Sequence, residues 1–75
     1  MFEKIKELLV EQMGLDAAYI TPEAKLIADL KLNSLELAEF ILTCEEEFGI
    51  MIQDEDLKKL VSVNDIAEYI ENLNN

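Results

Sequence analysis

The chain has 75 residues, of which 17 are acidic and six are basic, and its formal net charge is −11. A chain of this length supports one small core, and an acidic surface without arginine argues against binding of nucleic acid, because phosphates need basic partners. The single cysteine has no partner for an intrachain disulfide, and no segment has the length of a signal peptide or a membrane span. We therefore expect one domain over residues 1–75 in a reducing compartment, by default the cytosol, with an organelle matrix left open.

Apolar spacing predicts the first helix and the connection that follows it. Apolar residues recur on one helical face over residues 2–13, and Gly14 follows where a left-handed cap is expected. Residues 15–32 form a long connection with at most one short helical turn, for which Thr21 followed by Pro22 predicts a cap with proline at the first helical position. Four apolar residues are expected to hold the connection on the core: Ile20, Leu26, Ile27 and Leu30.

The second long helix is predicted to begin at Asn33, a good N-cap residue. Glu36 completes the spacing of a capping box, and Gly49 ends the helix after Phe48. At about 100° per residue, one arc of this helix is apolar and is expected to face the core. Its residues are Leu37, Phe40, Ile41, Cys44 and Phe48. Cys44 is therefore expected to be packed and inert.

Two further helices are predicted in the last third of the chain. Asp54 is expected to cap a short third helix that carries Leu57 and Leu60, and the pair Ser62 and Asp65 has capping-box spacing for the last helix. That helix presents one apolar face, composed of Val63, Ile66, Ile70 and Leu73. The predicted fold is all-α, a four-helix bundle with three longer helices, one short third helix and a long first loop.

The second helix also has an apolar strip outside its core arc. Leu35, Ala38 and Leu42 lie together, and Glu39 and Glu46 follow one edge of the strip. An apolar centre with a charged rim is typical of a modest protein-docking site. The alternatives are that the first loop covers these leucines, or that they are simply exposed.

The acidic residues are concentrated in the same part of the chain. No lysine lies between Leu32 and Leu57, where the acids are Glu36, Glu39, Glu45, Glu46, Glu47, Asp54, Glu55 and Asp56. This block favours association with a basic protein patch, and the alternative is a solvated helix face. The acids at 54–56 lack the spacing of a calcium-binding loop, so we expect no dedicated metal site.

Ser34 is the first residue of the predicted second helix. The chain contains no histidine, so a Ser-His-Asp arrangement is impossible, and Lys31 is the only lysine close to Ser34 in sequence. An enzyme is therefore not expected. A hydroxyl beside the unpaired N–H groups of a helix start suits the attachment of a phosphorylated group, although a small polar residue is also ordinary in a first turn.

The stretch "LKLNSLELAEFILTCEEEFGI" resembles the prosthetic-group region of acyl carrier proteins, and the similarity extends over nearly the whole chain. The resemblance implies that a phosphopantetheinyl transferase attaches 4′-phosphopantetheine from coenzyme A to Ser34, and that the arm carries acyl groups as thioesters. It also implies a monomer that docks on basic patches of acyl-processing enzymes. The implied docking residues are Leu35, Glu36, Glu39, Leu42, Glu45 and Glu46.

The resemblance leaves the pathway open. Fatty acid biosynthesis is the expected one, a polyketide or other specialised carrier is an alternative, and an unmodified acidic helical interaction module is an alternative of another class. The family usually has aspartate at the position of Asn33 and often glycine near Lys31. Because the family's aspartate helps to hold the transferase's metal ion, Asn33 predicts slower modification or a particular transferase, and the alternative is that modification is absent.

Overall fold

Three α-helices form the framework of the computed structural model, which describes residues 1–73. They are α1 (Phe2–Met13), α2 (Ser34–Phe48) and α3 (Val63–Leu73), and two 3-10 helices lie between them, at Ala17–Tyr19 and Asp54–Lys59. Within residues 1–73, strand-type pairing is limited to one isolated bridge between Lys25 and Ser62. The all-α prediction of three longer helices, one short third helix and a long first loop is confirmed. Of the helices in this range, none is long and apolar enough to cross a membrane.

Glycines end the first two helices where the sequence places them. Gly14 and Gly49 adopt left-handed backbone conformations with φ values of 69° and 63°. The N–H of Gly14 bonds to the carbonyl of Val10, and that of Gly49 bonds to the carbonyl of Glu45. Glycine has no Cβ to disfavour this conformation, so each helix ends without strain.

The core forms where α1 packs against both α2 and α3. Its most deeply buried side chains are Ile5, Leu9, Leu26, Phe40, Cys44, Val63, Ile66 and Ile70. Leu37 and Phe48, the other two residues of the predicted core arc, are half-buried and pack against this cluster. Of the predicted apolar face of the last helix, Val63, Ile66 and Ile70 are buried, whereas the Leu73 side chain is 47% exposed. Leu73 lies nearly one turn beyond Ile70, where α3 extends past the core.

The first loop is held on the start of α3 by backbone hydrogen bonds. Leu26 N–H donates to the carbonyl of Val61 at 2.9 Å, Val63 N–H to Ala24 at 3.0 Å, and Asn64 N–H to Pro22 at 2.9 Å. The prediction of a helix cap at Thr21 and Pro22 is therefore wrong, because this segment pairs with another part of the chain. The short helical turn lies earlier, at Ala17–Tyr19, where the Asp16 carboxylate accepts the N–H of Ala18 at 2.9 Å.

Three of the four apolar loop residues hold the loop on the core as predicted. Ile20, Leu26 and Leu30 are buried, whereas Ile27 is 50% exposed. The expectation for Ile27 is wrong because Leu26 takes the inward position and its neighbour is left at the surface.

The segment from residue 50 to residue 62 is tied to both neighbouring helices. The Glu45 carboxylate of α2 accepts the N–H of Ile52 at 2.8 Å, and the Tyr69 hydroxyl of α3 donates to the Asp56 carboxylate at 2.7 Å. Asp54 is not a cap as predicted, since the N-cap position of this 3-10 helix is Gln53 and has no side-chain bond. The reciprocal bonds between Ser62 and Asp65, at 2.9 and 3.2 Å, confirm the predicted capping box of α3.

Candidate functional site

The N-terminus of α2 is fixed by a complete capping box. The Asn33 side chain accepts the N–H of Glu36 at 2.8 Å, and the Glu36 carboxylate accepts the N–H of Asn33 at 3.0 Å. The backbone of Asn33 is extended, with φ −91° and ψ 174°, and Ser34 is the first helical residue. The sequence prediction of this helix start is confirmed, and it gives Ser34 one defined position.

The surroundings of Ser34 suit a covalently attached phosphate. Its side chain is exposed, and the N–H groups of Ser34 and Leu35 have no hydrogen-bond partner among residues 1–73. Unpaired amides and the positive end of the helix dipole favour a negative group at this place. The residues present therefore fit a phosphate ester on Ser34.

Ser62, the other serine of the chain, has a different environment. It is half-buried, and its hydroxyl oxygen accepts the N–H of Asp65 as part of the α3 capping box. A group attached there would break this cap. The structure thus distinguishes the two serines by exposure and hydrogen bonding.

An apolar strip follows Ser34 along the exposed side of α2. Leu35 is 69% exposed, Leu42 is 58% exposed, and Ala38 between them is also at the surface. The alternative that the first loop covers these leucines is wrong. We call these three residues the leucine strip.

The four predicted docking carboxylates have different surroundings. Glu39 and Glu46 are exposed. Glu36 and Glu45 are half-buried, and each accepts a backbone N–H, Glu36 at Asn33 and Glu45 at Ile52. The exposed pair makes no such bond. The other pair also has a structural role, which the sequence predicted for Glu36 as part of the capping box but did not predict for Glu45.

Cys44 lies inside the core, and its thiol is unreactive. Its side chain is fully buried, and burial, with the nearby charges of Glu45 and Glu47, raises the pKa of its thiol to about 12. The thiolate is the reactive form, so this cysteine is inert at neutral pH. The prediction that Cys44 packs in the core is confirmed. In the part of the chain that the structure describes, no cluster of three acidic, histidine or cysteine side chains could hold a metal ion.

Two apolar grooves adjoin the first turns of α2, and sequence periodicity did not predict them. The first, which we call the loop groove, has a volume of about 330 Å³, and its apolar lining is Leu26, Ile27, Ala28, Leu37, Leu57, Leu60 and Val61. The second, the helix groove, has a volume of about 280 Å³ and is lined by Ala38, Ile41, Leu42, Glu45, Ile52, Asp54 and Leu57. Ile27 and Val61 are apolar residues in connecting segments, and only the structure shows that their side chains are half-exposed and line a groove.

Comparison with known proteins agrees with this geometry. The family described as "Phosphopantetheine attachment site" matches residues 3–70. A curated acyl carrier protein from Solidesulfovibrio magneticus is 48% identical over 69 residues, which are 92% of this chain and 88% of the relative. Another from Helicobacter pylori (strain G27) is 45% identical over 71 residues, which are 95% of this chain and 91% of the relative. The chain therefore belongs to the acyl carrier proteins, which bear phosphopantetheine and are carriers rather than enzymes.

Proposed function

We propose that residues 1–75 act as one carrier domain that bears its phosphopantetheine on Ser34 and delivers acyl groups to partner enzymes. The observation that supports Ser34 is the contrast between the two serines: its hydroxyl is exposed beside two unpaired amides, whereas that of Ser62 is engaged in a cap. When bound, the phosphopantetheine supplies a terminal thiol that holds an acyl group as a thioester. The chain supplies the attachment point, the docking surface and shelter.

The capping box prepares Ser34 for modification by another enzyme. The reciprocal bonds of Asn33 and Glu36 hold the first turn of α2 in place without using the Ser34 hydroxyl. The side chain of Asn33 is neutral, so the only carboxylate in the box is that of Glu36. The family usually has aspartate at this position. Asn33 therefore removes one negative charge beside the phosphate, but it also removes one ligand for the transferase's metal ion.

The leucine strip and its exposed acids are the proposed docking surface. Leu35 and Leu42 would supply apolar contact, while Glu39 and Glu46 would meet basic residues of the transferase and of acyl-processing enzymes. Glu36 and Glu45 would contribute mainly to the negative electrostatic potential of this surface, because each carboxylate already accepts a backbone N–H. Contact of this kind is weak and electrostatically steered, which suits a carrier that exchanges partners.

Shelter of the acyl group is the proposed role of the two grooves. Leu37 and Ala38, about one helical turn after Ser34, line the loop groove and the helix groove respectively. An alkyl chain leaves water favourably when it contacts such apolar walls. We further propose that the protein acts as a monomer in the cytosol, in fatty acid biosynthesis. The similarity over most of the length of curated proteins named acyl carrier protein supports the carrier role on which this proposal rests.

The experiment is an intact-mass measurement after incubation with coenzyme A, magnesium and a broad-specificity phosphopantetheinyl transferase. The parent chain should gain one phosphopantetheine, Ser34→Ala should gain none, and Ser62→Ala should gain one as the parent does. Asn33→Asp, which restores the family's usual residue, should be modified faster than the parent. A known carrier in the same tube shows that the transferase is active.

Two results would contradict the proposal. Modification of Ser34→Ala would place the group elsewhere. Failure of both the parent and Asn33→Asp, with the known carrier modified, would favour an unmodified interaction module. Modification of Asn33→Asp alone would support the site and show that the parent needs a particular transferase.

A further inference from the structure

Leu57 is the residue that the loop groove and the helix groove have in common. It lies in the 3-10 helix Asp54–Lys59, and its side chain is 36% exposed. Leu60, one 3-10 turn further, is buried and lines only the loop groove. Leu57 therefore stands at the boundary between two apolar spaces.

Both grooves are accessible from Ser34. On an α-helix, the residues three and four positions after Ser34 lie on either side of the line that runs along the helix from Ser34. These residues are Leu37, in the loop groove, and Ala38, in the helix groove. A chain that starts at Ser34 can thus enter one groove without entering the other.

The lining of the grooves suits a hydrocarbon chain. Ile27 and Val61 are each half-exposed in the loop groove, and Leu42 is exposed beside the helix groove. The charged residues at the loop groove are Lys25 and Lys58, whose long aliphatic stems can cover an apolar occupant while the ammonium groups stay in water. The helix groove also contains two carboxylates, those of Glu45, which accepts the Ile52 N–H, and Asp54. The occupant that fits is the acyl chain carried by the protein itself.

We propose that Leu57 sets the length of acyl chain that the protein shelters, because its side chain separates two grooves that would otherwise be continuous. A short chain fits within one groove beside Leu57. A longer chain meets Leu57 and leaves its distal end in water. This inference rests on the proposed function, in which the acyl chain is attached through Ser34.

The segment that carries Leu57 is held at two points, which makes the side chain a fixed barrier. Ile52 is bound to Glu45 of α2 at 2.8 Å, and Asp56 is bound to Tyr69 of α3 at 2.7 Å. Both bonds lie on the N-terminal side of Leu57 in the chain, and they tie its segment to α2 and to α3. Shortening the Leu57 side chain should therefore join the grooves without displacing their walls.

The test compares thermal unfolding of the parent, Leu57→Ala and Met51→Ala. Each protein is loaded with a phosphopantetheine arm that carries no acyl group, an octanoyl group or a hexadecanoyl group. Each acylated protein is compared with its own unacylated form, so the cost of each substitution to the fold cancels. In the parent, the rise in Tm should be complete at octanoyl. In Leu57→Ala, hexadecanoyl should raise Tm by about 4 °C or more beyond octanoyl. Met51→Ala removes an exposed side chain that lines neither groove, so it should follow the parent.

A further variant tests whether the volume of the side chain at position 57 is what separates the two grooves. Leu57→Met keeps nearly the same side-chain volume and should retain the parent's dependence on chain length. Identical chain-length profiles for the parent and Leu57→Ala would overturn the role of Leu57, as would the absence of any shift on acylation in every loaded variant. Intact mass is checked before each melt, so a failure to load Ser34 would instead contradict the proposed function.

Discussion

Lys31 occupies the left-handed region of backbone conformation, with φ 64°, two residues before the N-cap of α2. A side chain with a Cβ is strained there, whereas glycine is not, which explains why glycine is common near this place in the family. The chain has to turn at this point, because Leu30 and Leu32 on either side are both buried. The strain is the local cost of placing two buried leucines around one exposed residue.

Replacement of Lys31 by glycine should stabilise the protein. The left-handed conformation costs a residue with a side chain about 1–2 kcal/mol, and glycine avoids this cost. Glycine also loses more conformational freedom on folding, which reduces the stabilisation by roughly 0.5–1 kcal/mol. We therefore expect Lys31→Gly to raise the free energy of unfolding by about 0.5–1 kcal/mol in urea titrations. Lys31→Ala removes the charge but keeps the Cβ, so it should gain nothing. Equal stabilisation by alanine would point to the charge of Lys31 and not to its backbone.

The 3-10 helix Asp54–Lys59 depends on side chains of the neighbouring helices for its position. Hydrogen bonding in 3-10 helices has poorer geometry than in α-helices, and this one has no side-chain cap at its start. Asp56 compensates by accepting the Tyr69 hydroxyl and by pairing with Lys59 at 3.5 Å. The bond to Asp56, with burial added, raises the pKa of Tyr69 above its ordinary value of 10.0.

The Tyr69 bond should give stability that disappears at alkaline pH. Below the ordinary pKa the hydroxyl is protonated in both states and the contribution is complete. As pH rises through the raised pKa of the folded protein, the unfolded chain has already lost its proton and the contribution is lost. Tyr69→Phe should lower the free energy of unfolding by about 1 kcal/mol at neutral pH. The difference from the parent should shrink at about pH 11, above the ordinary tyrosine pKa.

Urea titrations at the two pH values measure this difference. Tyr19→Phe is the matched control, because the Tyr19 ring is largely exposed, and it should leave stability close to the parent at both values. A difference for Tyr69→Phe that stays constant with pH would show that the ring, and not the hydroxyl, holds the segment.

Charge is distributed unevenly over the whole molecule. The net charge is −11, and Glu39 and Glu46, which are exposed on α2, lie beside the leucine strip. The lysines lie on other elements, including Lys4 and Lys6 on α1 and Lys58 and Lys59 on the 3-10 helix. A basic partner is therefore attracted to the molecule as a whole and is oriented by α2.

Reversal of one charge on α2 should weaken association with a basic partner more than the same reversal on α1. Glu39→Lys removes an exposed carboxylate beside the leucine strip, and we expect transferase association to slow by about fivefold, since an exposed pair contributes up to about 1 kcal/mol. Its dependence on salt should also decrease. Glu7→Lys makes the same change in net charge on α1 and should have a smaller effect. Stopped-flow association at two ionic strengths measures both, and equal effects would mean that net charge alone governs the encounter.

The sequence by itself determined the helices and the start of α2. Apolar spacing, Gly14 and Gly49 predicted α1 and α2 at their observed bounds, because period, cap and stop signals are local properties of the chain. Asn33 and Glu36 predicted the capping box for the same reason. The position of Ser34 at the helix start followed directly.

Only the tertiary structure decided the features that depend on distant contacts. The sequence predicted a helix cap at Pro22. In the fold, the carbonyl of Pro22 instead accepts the N–H of Asn64 at the start of α3, a contact between distant parts of the chain. The fold brings the N–H of Ile52 to the Glu45 carboxylate, so a residue predicted from the sequence to meet partners also has a structural role. The two grooves that meet at Leu57 form where the first loop, α2 and the 3-10 helix come together. Periodicity along one helix carries no information about such a junction, because the packing of the elements creates the space between them.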